Sequence, residues 1–146
     1  WFLTVVPNMI HDLRVNGHGY PGSFEGPEEE NIRKWDRILG RMEFLFREAN
    51  EDMCRKKNPY EKEHDLAQEE FTAKYGMFGE KLKTEEEIAR ENQEHTHRLY
   101  MMSDVPEYAE ISEKWLAAEN ELREYRDRCL KQGMGLMMKY FRNLWD

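Results

Sequence analysis

The stretch EEENIRKWDRILGRMEFLFREA, residues 28–49, decides the fold of this chain. Its apolar side chains recur every three or four positions, which is the spacing of one face of an α-helix. Because the pattern persists through the whole stretch, we expect this face to pack against another helix. The apolar positions are Ile32, Trp35, Ile38, Leu39, Met42, Leu45, Phe46 and Ala49.

The residues before this stretch predict a helix, a loop and a helix start. Apolar residues at helical spacing predict a first helix over residues 1–14, kinked or begun at Pro7. Residues 15–27 are rich in glycine and proline and are predicted to form a loop. Pro27 and the glutamates that follow it suit the first turn of the second helix, because carboxylates favour the positive end of the helix dipole.

The C-terminal part predicts a long last helix that opens at Ser103–Pro106. Unbroken over 107–145 it would measure roughly 58 Å, so we expect either a break at Gly133 and Gly135 or a partner chain along it. A homo-oligomer is therefore predicted. The apolar stripe of this helix consists of Tyr108, Ile111, Trp115, Ala118, Leu122, Tyr125 and Cys129.

The middle of the chain is polar and acidic. It predicts a short helix over Leu66–Tyr75 and a second one that begins at Thr84, with Glu87 completing a capping box, and reaches about Tyr100. The predicted fold is all-α: an antiparallel helical bundle with a long C-terminal helix and a peripheral acidic helical segment, within a single domain over 1–146.

Composition limits the class of partner. Charged residues make up 36% of the chain and the net charge is −8, which disfavours nucleic acid and anionic membrane. The opening WFLTVVPNMI has no basic leader and is too short for a membrane span, so a cytoplasmic location is expected. Cys54 and Cys129 are far apart in sequence and are predicted to be free thiols.

Two acidic or histidine-containing patterns are candidates for metal-dependent chemistry. An ExxE…ExxD pattern resembles that of all-α nucleotide pyrophosphatases, but no turn separates its two pairs, so one chain could not close a Mg²⁺ site. An HD pair at His64-Asp65 could join His18 and Asp104 in a phosphohydrolase pattern. We predict no metal and no other cofactor. The ExxE…ExxD residues are Glu107, Glu110, Glu124 and Asp127.

The two ends of the chain combine aromatic, glycine and basic residues. NGHGYPGSF, residues 16–24, lies in the predicted loop, and KYFRNLWD, residues 139–146, ends the chain. The HGYP stretch after a first helix, the acidic start of the Trp-containing second helix and the terminal FRNLWD resemble an uncharacterised family of small proteins encoded in tailed-phage genomes. That resemblance covers residues 1–50 and 130–146, and it implies a protein acting in the host cell cytoplasm.

These two stretches allow two interpretations. In one, the loop caps the helical bundle and FRNLWD packs beneath it. In the other, the ends form a pocket for a small anionic nucleotide-like ligand, because glycines allow close backbone approach, arginine pairs with phosphate and aromatic rings stack on bases. The candidate ligand-binding residues are Arg14, His18, Tyr20, Phe24, Lys139, Arg142 and Trp145.

The leading hypothesis for function is a non-catalytic phage protein that sequesters a nucleotide-derived host immune signal. It combines the resemblance, the absence of a credible catalytic constellation and the basic aromatic ends of an acidic chain. Two alternatives stay open: a phage protein that docks on another protein through its acidic helices, and a metal-dependent phosphohydrolase.

Overall fold

A computed structural model describes residues 1–17 and 19–144, and within those ranges the chain is helical and contains no strand. This confirms the all-α prediction and the long C-terminal helix. Three short 3₁₀ segments lie between or after the α-helices, at Glu80–Leu82, Met102–Asp104 and Phe141–Leu144. The α-helices are α1 (Phe2–Asn16), α2 (Glu28–Ala49), α3 (Glu61–Tyr75), α4 (Glu85–Glu94) and α5 (Pro106–Tyr140).

The chain divides into two compact units. One comprises residues 1–56 together with the chain from Leu122 onward, and the other comprises residues 57–121. Helix α5 passes from the second unit into the first. A single cooperative domain over 1–146 stays a prediction.

In the first unit, α1 runs antiparallel to α2. The side-chain amide of Asn50, just after the end of α2, donates to the carbonyl of Leu3 at the start of α1. Nearer the middle of both helices, Nδ1 of His11 lies 3.1 Å from a carboxylate oxygen of Glu43. Residue numbers therefore rise along one helix as they fall along the other.

The second half of α5 is also antiparallel to α2. The hydroxyl of Tyr125 donates to Glu48 over 2.8 Å, and fifteen residues later the ring of Tyr140 lies 5.5 Å from that of Trp35. The predicted antiparallel arrangement of the first, second and last helices is thus present in this unit. The buried side chains of its core are Ile10, Trp35, Leu39, Met42, Phe46, Met137 and Leu144.

Residues 57–121 have a smaller core of their own. Phe71 of α3 meets the ring of Tyr108 edge-on at 6.0 Å, and Met102 is buried beside them. The predicted short helix is longer than expected, since α3 begins at Glu61 rather than Leu66. The side chain of Asn58 accepts a hydrogen bond from the backbone N–H of Tyr60 and so forms a turn directly before α3. The helix therefore begins five residues before the predicted start at Leu66.

The capping box at Thr84 is present as predicted, but the helix is shorter than predicted. Helix α4 ends at Glu94 and not near Tyr100, because His95 adopts a left-handed conformation with φ of 52°. Beyond this turn the chain folds back: the backbone N–H of Arg98 donates to the carboxylate of Glu91. The end of α4 is thus accompanied by a hydrogen bond from the following segment to the side chain of Glu91. The sequence contains no glycine or proline at this point that would indicate a helix end.

The expected break in the last helix does not occur. Helix α5 runs through Gly133 and Gly135 without interruption for 35 residues, about 52 Å at 1.5 Å per residue. The apolar stripe that suggested a partner chain is covered by this chain itself, since all seven of its residues are buried or half-buried. The argument for a homo-oligomer from that stripe is therefore lost, and oligomerisation stays a prediction.

None of the helices in the described ranges combines the length and the apolar character that crossing a membrane requires.

The two glycines of α5 should respond oppositely to the same substitution. A Cβ atom at Gly133 would lie 3.1 Å from the ring of Phe46, which is fully buried, whereas one at Gly135 would meet nothing within 4 Å. We expect Gly133→Leu to lower the free energy of unfolding by about 1–3 kcal/mol through overpacking. Gly135→Leu should raise it by about 0.5–1 kcal/mol, because glycine is a poor helix former.

Urea unfolding followed by circular dichroism measures both changes. If Gly133→Leu were as stable as Gly135→Leu, α5 would not approach α2 closely at this point.

Candidate functional site

A buried carboxylate organises the surface between α1 and α2. One Glu43 oxygen lies 3.1 Å from Nδ1 of His11 and accepts from Nε of Arg47 over 3.0 Å. The other lies 3.1 Å from Nη1 of Arg14 as an ion pair without hydrogen-bond alignment. The Glu43 side chain is only 11% exposed, and the guanidinium groups of Arg14 and Arg47 offset part of the hydration that it loses on burial. Arg14 is thereby fixed at the end of α1.

The loop after α1 is tied to the start of α2. The backbone N–H of Phe24 donates to the carbonyl of Pro21, forming a turn. Gly26 has φ of 107°, a region that side chains rarely adopt, and its carbonyl accepts from the buried side-chain amide of Asn31. The loop therefore has a defined end where α2 begins.

The two aromatic residues of the loop join an aromatic cluster on the core. Tyr20 and Phe24 stack with ring centroids 6.5 Å apart, and Phe24 meets Trp35 and Tyr140 edge-on, each at 6.3 Å. The ammonium of Lys34 lies 4.2 Å from the centre of the Phe24 ring. This packing supports the interpretation in which the loop caps the bundle.

A half-open cavity of about 790 Å³ lies beside the loop, between the end of α1 and the first half of α2. We call it the arginine cleft, because Arg14, Arg33 and Arg37 line it together with two carboxylates, Glu30 and Asp36. Its other lining residues are Leu13, Gly17, Gly19, Ile32, Trp35 and Leu39.

The three guanidinium groups of the arginine cleft differ in their partners. Nε of Arg14 lies 3.6 Å from Asp36, and Arg33 bonds to Glu29 one turn earlier. Arg37 donates only to the backbone carbonyl of Arg33, and within residues 1–17 and 19–144 it has no carboxylate within 4.0 Å. Of the three arginines in the cleft, Arg37 is thus the one that is not paired with a carboxylate among the described residues.

A smaller cavity of about 260 Å³ adjoins the arginine cleft and shares Leu13, Gly17, Gly19 and Trp35 with it. Tyr20 lines this smaller cavity. Beside it, Gly19 and Gly22 have open space where a side chain would stand. The loop therefore places accessible backbone at Gly19 and Gly22 and the ring of Tyr20 at the edge of the arginine cleft.

Lys139 and Arg142 belong to a different surface. They line an open groove of about 680 Å³ with five apolar side chains and Asn143. We call this the methionine groove. Its apolar lining consists of Phe2, Met134, Met137, Met138 and Phe141.

The seven predicted ligand-binding residues therefore do not converge on one cavity. Arg14 lines the arginine cleft and Tyr20 the small cavity beside it, whereas Lys139 and Arg142 line the methionine groove. Phe24 lines none of these three cavities. His18 and Trp145 lie outside the described residues.

Arg33 and Arg37 of the arginine cleft are not among the binding residues predicted from the sequence. Their spacing of four residues places both on one face of α2, which is a recognisable signal. The prediction for α2 rests on its apolar stripe, which carries no information about this charged face.

The metal-binding patterns find no assembled site. Glu107, Glu110, Glu124 and Asp127 all lie on the single helix α5. The imidazole of His64 stacks on the Trp115 ring at 4.4 Å. In the part of the chain that the structure describes, no group of three or more His, Cys, Asp or Glu side chains is placed to hold a metal ion.

A second buried carboxylate, Glu48, draws Tyr125 and Cys54 together. It accepts from the Tyr125 hydroxyl, and the Cys54 sulfur lies 3.8 Å from the same oxygen. Burial and the bond to Glu48 raise the pKa of Tyr125. Burial likewise raises the pKa of the Cys54 thiol, so the thiolate is disfavoured at neutral pH.

Comparisons with protein-family models, with curated proteins and with solved structures found no match for this chain. The resemblance to a phage family stays a prediction.

The thiols should be inert in the folded protein. Cys54 and Cys129 are 2% and 5% exposed, and the raised pKa of Cys54 further disfavours its reactive thiolate. We expect neither to react with Ellman's reagent under native conditions at neutral pH, and both to react in denaturing guanidinium. Rapid native reaction of either thiol would contradict the packing of Glu48 and Tyr125 around Cys54.

The aromatic cluster predicts that the two loop aromatics differ in structural weight. Phe24 touches three rings and an ammonium group, so Phe24→Ala should lower the free energy of unfolding by about 2–4 kcal/mol. Tyr20 is partly buried against the same core and, among the described residues, has a ring contact with Phe24 only, so Tyr20→Ala should cost less, about 1 kcal/mol. Thermal melts of both variants measure the difference; equal costs would mean that the loop does not dock through Phe24.

Proposed function

We propose that this chain is a non-catalytic protein that captures a small anionic nucleotide-like ligand in the arginine cleft. The observation that carries the proposal is the pair Arg33 and Arg37, four residues apart on α2, facing a half-open cavity of about 790 Å³. Ligand pockets have volumes of roughly 300–1,000 Å³, so a mononucleotide or dinucleotide fits this space.

The chemistry of the lining supports an anionic ligand with a flat ring. Guanidinium groups bind phosphate in bidentate fashion, and Arg37 has no competing carboxylate among the described residues. Gly19 leaves room for close approach to the loop backbone. Tyr20 supplies an aromatic edge at the adjoining cavity.

The two carboxylates of the arginine cleft set a limit on affinity. Asp36 is 62% exposed and lies 3.6 Å from Nε of Arg14, so it already pairs with an arginine that a ligand phosphate would otherwise bind. A ligand phosphate must displace or tolerate this carboxylate. Binding is therefore expected to weaken with salt and to improve when Asp36 is neutralised.

The resemblance to a tailed-phage family directs the choice of ligand. In that setting the ligand is a nucleotide-derived immune signal of the host, and a protein that holds it intact lowers its free concentration in the host cytoplasm. Cyclic dinucleotides and ADP-ribose derivatives carry the phosphates and bases that the cleft suits, and they form the first panel to test.

Calorimetry against this panel tests the proposal with matched variants. We expect Arg37→Ala to weaken binding at least tenfold, Asp36→Asn to strengthen it several-fold, and Arg128→Ala to leave it unchanged. Arg128 is a suitable control because it is an exposed helical arginine paired with Glu124 and lies outside the cleft.

The fate of the ligand separates the hypotheses. Recovery of unaltered ligand after heat denaturation supports sequestration, whereas recovery of a changed product indicates an enzyme. No binding to any member of the panel, or equal binding by the Arg37→Ala variant, would contradict the proposal.

An interaction protein that docks through its acidic helices is the second candidate function. Residues 57–121 hold seventeen acidic and eight basic side chains, a net charge of −9, while the remaining residues hold thirteen acidic and fourteen basic, a net charge of +1. Three leucines in the acidic region are largely exposed, Leu66 at 67%, Leu116 at 54% and Leu99 at 53%. An acidic surface with exposed leucines suits a basic partner protein.

A further inference from the structure

The methionine groove brings several exposed apolar side chains together in one concave surface. Met138 is 76% exposed, Phe141 52% and Met134 36%, and all three line the same cavity with Phe2. Scattered apolar residues are common on protein surfaces, but several in one concave patch mark a binding surface.

The side chains of the groove suit a partner with apolar side chains of varied shape. Methionine is unbranched and flexible, so three methionines in one groove can adjust to different apolar groups. The groove lies along the last turns of α5 and the 3₁₀ segment that follows it, together with Phe2 from the start of α1. An amphipathic helix can lay its apolar face on a groove of this kind.

The charged side chains that the structure places in the groove are both cationic. Lys139 and Arg142 line it, and none of its other lining residues within 1–17 and 19–144 is acidic. Lys139 lies 5.3 Å from the ring of Tyr140, and neither cation has a carboxylate within 4.0 Å anywhere in residues 1–17 and 19–144. In a chain with a net charge of −8, these two cations at the groove favour a partner that carries acidic groups.

The same charges count against self-pairing through this face. A two-fold dimer places identical patches against each other, so it would bring Lys139 and Arg142 of both copies into one interface, and no described lining residue of the groove is an acid that could neutralise them. Charge complementarity instead favours a partner whose apolar face is flanked by carboxylates.

We propose that the methionine groove binds an acidic amphipathic helix of a partner protein. The apolar face of that helix lies on Met134, Met138 and Phe141, and its flanking carboxylates pair with Lys139 and Arg142. The groove shares no lining residue with the arginine cleft, although Asn143 lines both the groove and the small cavity beside that cleft.

The test uses the full chain and a designed peptide probe. The probe is a fluorescein-labelled helical peptide with leucines at i, i+3, i+4 and i+7 and glutamates at the flanking positions; in its partner probe, lysines replace the glutamates. Fluorescence anisotropy measures the binding of each. We expect the glutamate peptide to bind at least tenfold more tightly than the lysine peptide.

Two variants of the groove should separate the apolar and the charged contributions. Met138→Asp should weaken binding of the glutamate peptide at least tenfold, and Lys139→Glu/Arg142→Glu should reverse the preference between the two peptides. Met77→Asp serves as the matched control, because Met77 is a comparably exposed methionine at 68% and does not line the groove.

Circular dichroism checks that each variant is folded, and light scattering reports the oligomeric state. The proposal is overturned if the glutamate peptide does not bind, if both peptides bind equally or if Met138→Asp has no more effect than Met77→Asp. It is also overturned if the chain is a dimer that Met138→Asp converts to a monomer, since a second copy would then occupy the groove. Loss of nucleotide binding by Arg37→Ala should leave peptide binding unchanged.

Discussion

The ring of Phe46 fixes how the three helices of the first unit meet. It is fully buried in α2, where Phe2 of α1 meets it edge-on at 5.6 Å and Gly133 of α5 leaves room for it on the other side. A glycine in the middle of a helix costs up to ~1 kcal/mol of helix stability relative to alanine. At Gly133 that cost is offset because α5 approaches α2 closely enough to bury the ring. The methionine groove, which is lined by Phe2 and by residues of α5, depends on that approach.

Two buried glutamates on α2 define which neighbour lies on which side. Glu43 faces the basic groups of α1, and Glu48 faces Tyr125 of α5 and the segment after α2. A buried carboxylate is weak evidence for stability, because its desolvation offsets much of the attraction. Its consequence is specificity: a shift of α1 by one residue would separate Glu43 from His11 and Arg14, while Arg47, on α2 itself, would stay in place. The contact with Glu43 also holds Arg14 at the arginine cleft.

The elements that the sequence predicts well are those with short-range signals. The apolar period of α2, the proline and glutamates at its start and the capping box at Thr84 each act within a turn or two of helix, so neighbouring residues suffice to identify them. The end of α4 and the continuity of α5 depend on contacts that the local sequence does not contain. Glu91 turns the chain back through Arg98, and Phe46 is the reason for Gly133.

The candidate site was less predictable for a similar reason. Composition drew attention to the loop and to the C-terminal segment, and in the structure the two are in contact through Phe24 and Tyr140. The structure also divides the cationic residues between two surfaces, with Arg14 on one and Lys139 and Arg142 on the other. Which surface a cation reaches depends on the rotation of its helix about the core, and the loop sequence carries no information on that.

The docking of Phe24 has a consequence for how a ligand would be held. A loop whose aromatic ring is packed on Trp35 and Tyr140 is not free to fold over a bound molecule. Capture in the arginine cleft would then use a surface that exists before binding, so the free-energy cost of ordering the loop on association is small. The same rigidity leaves one side of the ligand in water, where salt screens its contacts with the arginines. A preformed, half-open cleft of this kind favours rapid association over very long residence, and sequestration would have to rely on an abundance of the protein that matches its ligand.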